Sequence, residues 1–468
     1  MAQSLPFWKK LMYAAGQFGW CIASYGVGNL LTYFYMPPES TGEAVFPVYI
    51  FQGSIFLGLT IIGVLAFGGR VFDAITDPII AGLSDRSTSK FGKRRTFLLI
   101  GSIPFTLFAI LIFIPIVPQQ SVVNAVWVAV CIFLFYLFFT MYLTPYYALL
   151  SELGHSPKER LQLSTIIAIT WALGFMVGSQ AYAFQGLFEG FGFSPTNAFQ
   201  IVILIFGGVG LVTMLLPVIF IDEHTYGDYH VSKEGSFEAV VSALKNRNFL
   251  FFTFSDLVYF LALTVIQIGI SYYVIVLLQL PKNMASLFMI VLFIVSFAFY
   301  VPVNLTAQKL GKKKVIVFGF FLFALGYLFI LFMGRIPFMP AIVQGYFIMV
   351  WCAVPMAIFG ILPNAVVADV AEADGILTGN YKAGVFFGAR GFVQKLGISA
   401  ANLIFPSLLL LGKSVQNDLG IRLSAVVALV FCIAGLVIFL QYDEKHVLET
   451  LATKEPLSQE ELEEVQDE

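Results

Sequence analysis

Long apolar runs broken by short polar connections set the pattern of this chain. Apolar runs cover residues 11–35, 48–82, 96–117, 122–152, 161–184 and 197–221. After a polar connection at 222–246 they resume at 247–279, 285–306, 314–334, 339–371, 383–411 and 422–442. A helix needs roughly 20 apolar residues to cross a bilayer core. The pattern therefore predicts an all-α integral membrane protein with twelve spanning helices, six before the polar connection and six after it. Runs of 30 residues or more are expected to tilt or to project beyond the membrane. The expected organisation is an N-terminal six-helix bundle at 1–221, a cytoplasmic middle loop at 222–246, a C-terminal six-helix bundle at 247–442 and a cytoplasmic tail at 443–468.

Composition sharpens that reading. The 468 residues are 59% hydrophobic and 12% charged, against about 45–50% and 25% in soluble domains. The net charge of −2 averages over a very uneven distribution. Basic residues crowd four connections: Arg86, Lys90, Lys93, Arg94 and Arg95; Lys158 and Arg160; Lys233, Lys245 and Arg247; and Lys309, Lys312, Lys313 and Lys314. The alternate connections carry little charge, so the basic ones and both termini are expected in the cytoplasm. Lys9 and Lys10 precede a run too long for a signal-peptide core, which reads as a retained first helix. Cys21, Cys131, Cys352 and Cys432 are scattered in apolar runs, which points to buried thiols. No histidine falls inside a span. There is no nucleophile–base motif, metal-binding motif or nucleotide loop, which argues against an enzyme or a primary pump. No cofactor, resident metal or nucleic-acid partner is expected. The bilayer and a small solute are the expected partners of a monomer.

The halves echo one another. SKFGKRRTFLLIG at 89–101 is answered by QKLGKKKVIVFG at 308–319, six helices later. Two structurally repeated bundles would produce this, with a substrate path between them near the midplane.

The polar residues inside the spans carry the chemistry, because charges at that depth are costly and read as functional. Asp73 and Asp77 are four residues apart and share a helix face with Thr76 beside them. Asp73 lies 12 residues before Asp85, Thr140 12 before Glu152, and Lys395 13 after Lys382. At about 1.5 Å per residue, each sits about 18–20 Å from its cytoplasmic marker. Asp77 sits about 12 Å in, so two carboxylates, a hydroxyl and an ammonium reach similar depth, and the two Asp with one Lys sum to −1. A bound Na⁺ or H⁺ would bring the sum to zero, the logic of a coupling site. The competing reading is that these charges only glue helices, with Arg70 as a further partner in charge balance. For Thr140 it is a hydroxyl bonded within its own helix. Asp256 either lines the path or, as the favoured reading, caps the start of its helix. Gly82 to Arg95 reads as a gate in which Asp85, Arg86, Lys93 and Arg94 latch helix ends. Thr144-Pro145-Tyr146-Tyr147 and Leu362-Pro363-Asn364 place prolines at corresponding points of the halves, where bends suit a rocking carrier.

The segment RVFDAITDPIIAGLSDRSTSKFGKRRTFLLIG, with PYYALLSEL…ERLQLST and VADVAEADG…FVQKLGISAA, resembles the glycoside–pentoside–hexuronide:cation symporters of the major facilitator superfamily. The likeness covers nearly the whole chain. It implies the twelve-helix major facilitator fold of two six-helix bundles, alternating access, and carbohydrate symport driven by Na⁺ or H⁺ across the plasma membrane, the inner membrane in a bacterium. It places Asp73, Thr76, Asp77 and Thr140 at the family's cation ligands and Lys395 at its helix 11 lysine. Thr76 stands where a sugar permease of the family has an amide. The family grips its glycoside with acids in helices 1 and 4 and an arginine in helix 5, where this chain has Cys21, Leu143 and about Ile167. The remaining cavity candidates are Gln17, Trp20, Cys21, Tyr25, Asn29, Tyr146, Tyr147, Gln267, Trp351, Asn364, Arg390 and Gln394. Relatives with an apolar cavity carry lysolipids, so an amphiphile is the alternative substrate. A membrane sensor or scaffold is the non-transport alternative, and the intact charges argue against it.

Overall fold

The computed structural model describes residues 5–40, 43–154, 157–226, 243–378 and 383–452. Most of the predicted middle loop, Lys233, Lys382 and the tail from 453 lie outside them. Twelve main helices carry the fold. In the first half these are α1 (Phe7–Tyr25), α2 (Ile61–Asp85), α3 (Arg95–Leu111), α4 (Val122–Leu153), α5 (Pro157–Gly178) and α6 (Pro195–Phe220). The second half has α7 (Arg247–Tyr272), α8 (Asn283–Leu310), α9 (Lys312–Phe332), α10 (Ala341–Thr378), α11 (Ala383–Leu408) and α12 (Leu419–Phe439).

Nine of these, counted among the described residues, are long and apolar enough to cross a membrane on length and hydropathy alone. The other three fall short for physical reasons. Lys9, Lys10, Gln17, two glycines and two tyrosines dilute α1; α2 carries Arg70, Asp73 and Asp77; α3 has only 17 residues. The predicted run 48–82 is too long for a different reason than tilt. Ser54–Phe56 pairs with Leu59–Thr60 in a small hairpin, and the helix begins at Ile61, capped by the Thr60 side chain. By contrast, α10 is a single helix of 38 residues that carries Pro355 and Pro363.

The repeat is visible in the packing. In the first half α1 lies on α5 and α6, α2 on α4, and α3 on α4 and α6. Six numbers higher, α7 lies on α11 and α12, α8 on α10, and α9 on α10 and α12. Both α1 and α7 end in a π-turn, at Gly26–Leu30 and Tyr273–Leu277.

The echoed GKRR and GKKK segments form matching junctions. Gly92 (φ 123°) and Gly311 (φ 90°) adopt left-handed backbone conformations that favour glycine. Each feeds a helix whose free N–H groups are capped by an acid from the far end of the same half. Glu223, just after α6, accepts from the N–H groups of Arg94 and Arg95. Glu444, just after α12, accepts from Lys312 N at 2.6 Å and Lys313 N at 3.2 Å. The start of the predicted tail is therefore structural. Glu444–Ala452 is helical and buries Val447 against α10.

Ties between the halves run from mid-depth to the side away from the basic loops. Tyr272 Oη donates to Met36 O at 2.5 Å. Lys413 bonds Gln52 Oε1 at 2.9 Å and pairs with Glu39 at 3.1 Å. Ser286 Oγ donates to Ser179 O at 2.8 Å, and Lys282 pairs with Glu189. Burial lowers the ammonium pKa values of Lys413 and Lys282, and the facing carboxylates Glu39 and Glu189 offset only part of this. Toward the basic loops α11 turns Gly384, Gly388 and Gly391 to open space. Among the described residues, the halves thus enclose a cleft tied at one end and open on the basic-loop side.

Gly311→Ala should cost on the order of 1–2 kcal/mol, from a strained φ and a Cβ that would meet Glu444 Oε2 at 2.7 Å. Gly208→Ala, in a helix with nothing within 4 Å of the new Cβ, should be neutral. Thermal unfolding of the two variants in one detergent checks the pair.

Candidate functional site

Helices α2, α4 and α11 bring the expected cluster together where the halves meet. Asp73 is fully buried. Thr140 Oγ1 donates to its Oδ1 at 2.5 Å, and Lys395 Nζ sits 2.9 Å from its Oδ2. The same ammonium lies 2.5 Å from Asp77 Oδ2, and Thr144 Oγ1 donates to Asp77 Oδ1 at 3.2 Å. Thr76 Oγ1 is shared among Phe72 O at 3.0 Å, Asp73 O at 3.1 Å and Thr140 Oγ1 at 3.3 Å. The helical spacing makes this possible, since residues four apart stack on one face. Thr140 does not spend its proton within its own helix; it reaches across to α2.

The charge count differs from the expected −1. Arg70 Nη1 is 3.6 Å from Asp73 Oδ2, and its guanidinium lies 5.1 Å from the Tyr136 ring centroid. Two carboxylates therefore face two cations, and the cluster is already neutral. Lys395 fills the gap between the carboxylates. Asp77 is the more accessible of the two, its side chain 34% exposed against 0% for Asp73.

A second intramembrane ion pair escaped the sequence reading. Asn246, not Asp256, caps α7 by accepting from Phe249 N. Asp256 lies deeper and is buried. Arg390 Nε donates to its Oδ2 at 2.7 Å, and Gln394 Nε2 donates to the same oxygen at 2.9 Å. Arg390 Nη1 also donates to Asn364 Oδ1 at 2.5 Å. The available signal was the spacing of Arg390, Gln394 and Lys395 on one helix opposite the lone acid of α7.

The cavity candidates divide. Tyr147, Gln267, Asn364 and Gln394 are exposed or half-buried on the cleft side. Gln267 ends a half-buried stripe of α7 that otherwise consists of Leu257, Phe260 and Leu263. Several candidates are instead packed away inside the first half. Tyr146 stacks on Tyr13 at 4.6 Å, and each hydroxyl donates to the other's carbonyl. Tyr25 packs on Phe175, Cys21 against the backbone at Gly174, and Trp20 edge-on to Phe139. Gln17 is buried but donates to Tyr147 Oη at 3.1 Å, and Asn29 bonds back to Tyr25 O. Trp351 turns outward, donating to Leu322 O of α9 at 2.8 Å. Burying these rings between helices removes more apolar surface from lipid or water than facing the cleft would. Ile167 is also buried.

The basic loop forms a knot within the first half. Arg94 Nη2 contacts Glu152 Oε1 at 2.8 Å and Asp85 Oδ1 at 2.5 Å, and Nη1 donates to Ser84 at 2.8 Å. Lys93 lies 3.9 Å from Asp85, and Arg95 donates to Val218 O. Arg86 is exposed outside the knot.

The family model described as MFS/sugar transport protein matches residues 12–443. An uncharacterized symporter of Synechocystis is 34% identical over 169 residues, 35% of this chain and 28% of that one. A putative glycoside/cation symporter of Escherichia coli is 31% identical over 140 residues, 30% of this chain and 29% of that one. Both alignments span less than a third of the relative. The isoprimeverose transporter of Lactiplantibacillus pentosus aligns more fully, 23% identical over 88% of this chain and 82% of its own. Among solved structures, a D-xylose-proton symporter superposes with a TM-score of 0.63 at 13% identity, over 94% of this chain and 97% of that one.

Lys395→Met should leave two carboxylates facing Arg70 alone and cost about 3–5 kcal/mol. Adding Asp77→Asn restores charge balance and should recover most of that loss. Unfolding midpoints of the single and double variants test this; a double variant no more stable than the single one would contradict it.

Proposed function

The chain belongs to the MFS/sugar transport protein family, and on that premise we propose that it is a secondary transporter coupling Na⁺ or H⁺ to symport of a glycoside-like sugar by alternating access. Its setting is the plasma membrane, the inner membrane in a bacterium, with the basic loops and both termini in the cytoplasm. The cleft open toward those loops is then an inward-facing state. The reading is carried by one observation: Lys395 of the second half occupies the gap between Asp73 and Asp77 of the first.

A coupling cation can use those carboxylates only by taking the ammonium's place, because three cations beside two carboxylates would repel in a low dielectric. Asp73, Asp77, Thr76 and Thr140 are the proposed oxygen donors, and Asp77 is the approach from the cleft. Displacing Lys395 cuts the mid-depth tie between the halves, so ion occupancy biases which side opens. This is a differential interaction with two states, which coupling requires. Arg70 holds part of the balancing charge throughout. The Asp85–Lys93–Arg94 knot keeps the ends of α2, α3 and α4 together as one body, which suits rocking of whole bundles. The apolar stripe of α7 favours the amphiphile reading, while the polar cluster around Arg390 on the same wall favours a sugar.

Asp73→Asn should abolish gradient-driven accumulation of labelled isoprimeverose in proteoliposomes, by roughly a hundredfold or more, with downhill flux kept. Imposing Na⁺ and pH gradients separately on the wild type identifies the ion. Undiminished uphill uptake by the variant would overturn the coupling role.

A further inference from the structure

The Asp256–Arg390 pair lies outside the proposed cation site yet faces the same cleft. Both side chains are nearly buried, 2% and 8% exposed, on α7 and α11. An intramembrane pair of this kind is costly to keep unless it does something that packing alone does not. Its effect is legible in its neighbours.

Arginine can only donate, so Asn364 must turn its Oδ1 toward Arg390. An ionised carboxylate can only accept, so Gln394 must turn its Nε2 toward Asp256. The ion pair thereby fixes which way both amides point. Asn364 is left with its Nδ2 donors and Gln394 with its Oε1 acceptor, none of which has a protein partner among the described residues. Asn364 is exposed and Gln394 half-buried. On α7, one turn beyond Asp256, Phe260 belongs to the half-buried stripe. The wall therefore offers one oriented donor, one oriented acceptor and an aromatic face.

We propose that Asn364 and Gln394, oriented by Asp256–Arg390, form a subsite for adjacent hydroxyls of an uncharged sugar, which rests on the sugar-symport reading. Hydroxyls both donate and accept, which matches an amide N–H and an amide carbonyl side by side. A uronate carboxylate would not fit. The nearest cation, Arg390, is already held by Asp256, and that carboxylate would repel a second one. Asp256 and Arg390 are positioning residues, since they act through the two amides.

The test uses purified full-length protein in detergent, with dissociation constants from ligand-dependent thermal shifts. The probes are methyl β-D-glucoside, methyl β-D-xyloside and methyl β-D-glucuronide, with isoprimeverose as a reference. The wild type should bind a neutral glycoside at least tenfold more tightly than the glucuronide. Asn364→Leu and Gln394→Leu lie on the cleft side and should each weaken neutral binding by roughly tenfold, the size of one lost hydrogen bond. Asp256→Asn frees the Arg390 charge and should shift selectivity toward the glucuronide by more than tenfold, which a purely structural pair would not do. Neutral affinity unchanged in both amide variants, or a wild type that prefers the glucuronide, overturns the subsite while sugar binding stands. A wild type that responds to none of these glycosides overturns the sugar reading, and the subsite with it.

Discussion

The protein depends on the cost of placing charge inside a membrane. Each of Arg70, Asp73, Asp77, Asp256, Arg390 and Lys395 would be expensive alone at that depth, and none is alone. The second pair, Asp256 with Arg390, stays within one half. The tie of Lys395 to Asp73 and Asp77 joins one half to the other. That difference separates a pair held within one half from one the proposed rocking would switch, because only a contact between the halves is remade when they move. On the proposed coupling reading, Lys395 is not an inert bolt. It sits close to both carboxylates, and one of them opens to the cleft, so a competing cation has a route to it.

On the alternating-access reading the halves must rock as rigid bodies, and the matched junctions suit this. Glu223 and Glu444 each return from the last helix of a half to cap the first turn of its third helix. A carboxylate on free N–H groups is a charge-assisted contact at the positive end of the helix dipole. The basic side chains of the same loops then grip the fourth helix of their half, Arg94 on Glu152 and Lys312 on Asp369. With each half closed on itself at the basic-loop face, the seam between halves is free there among the described residues. At the opposite face the seam is occupied by Tyr272, Lys413, Ser286 and Lys282.

Much of this was legible in the chain. Apolar runs located all twelve helices, because lipid imposes one solution on the backbone. The repeat of GKRR and GKKK marked the junctions, although nothing in the run of letters showed that Glu223 and Glu444 close them. The cation cluster was readable from helical spacing, since depth along a helix is arithmetic. Its charge was not, because whether Arg70 turns toward Asp73 or away is a rotamer and packing matter. The aromatic candidates were least legible. Tyr25, Tyr146 and Trp351 share composition with cleft residues, and only the identity of the neighbouring helix decides which way a ring faces. Asp256 was misplaced for a related reason: its proximity to the helix start suggested a cap, while its partners lay some 134 residues away on α11.

The placement of both ion pairs on α11 links the two binding readings mechanically. Arg390 and Lys395 are five residues apart, which separates them by about 7.5 Å along the axis and about 140° around it. One points to α7 within its own half and the other to α2 across the seam. If release of Lys395 from Asp73 lets α11 tilt or turn within its own half, the same motion moves Arg390 relative to Asp256 and Asn364. Gln394 stands next to Lys395 in sequence and shares its backbone, so the orientation of the amide at the proposed sugar wall depends on where the ammonium is held. On the two proposed readings, a cation that displaces the lysine would then change the wall that meets the sugar, and a sugar that fixes the wall would change what the cation must displace. That reciprocity is what linkage between two sites requires, and here a single helix with no intervening chain of residues can supply it.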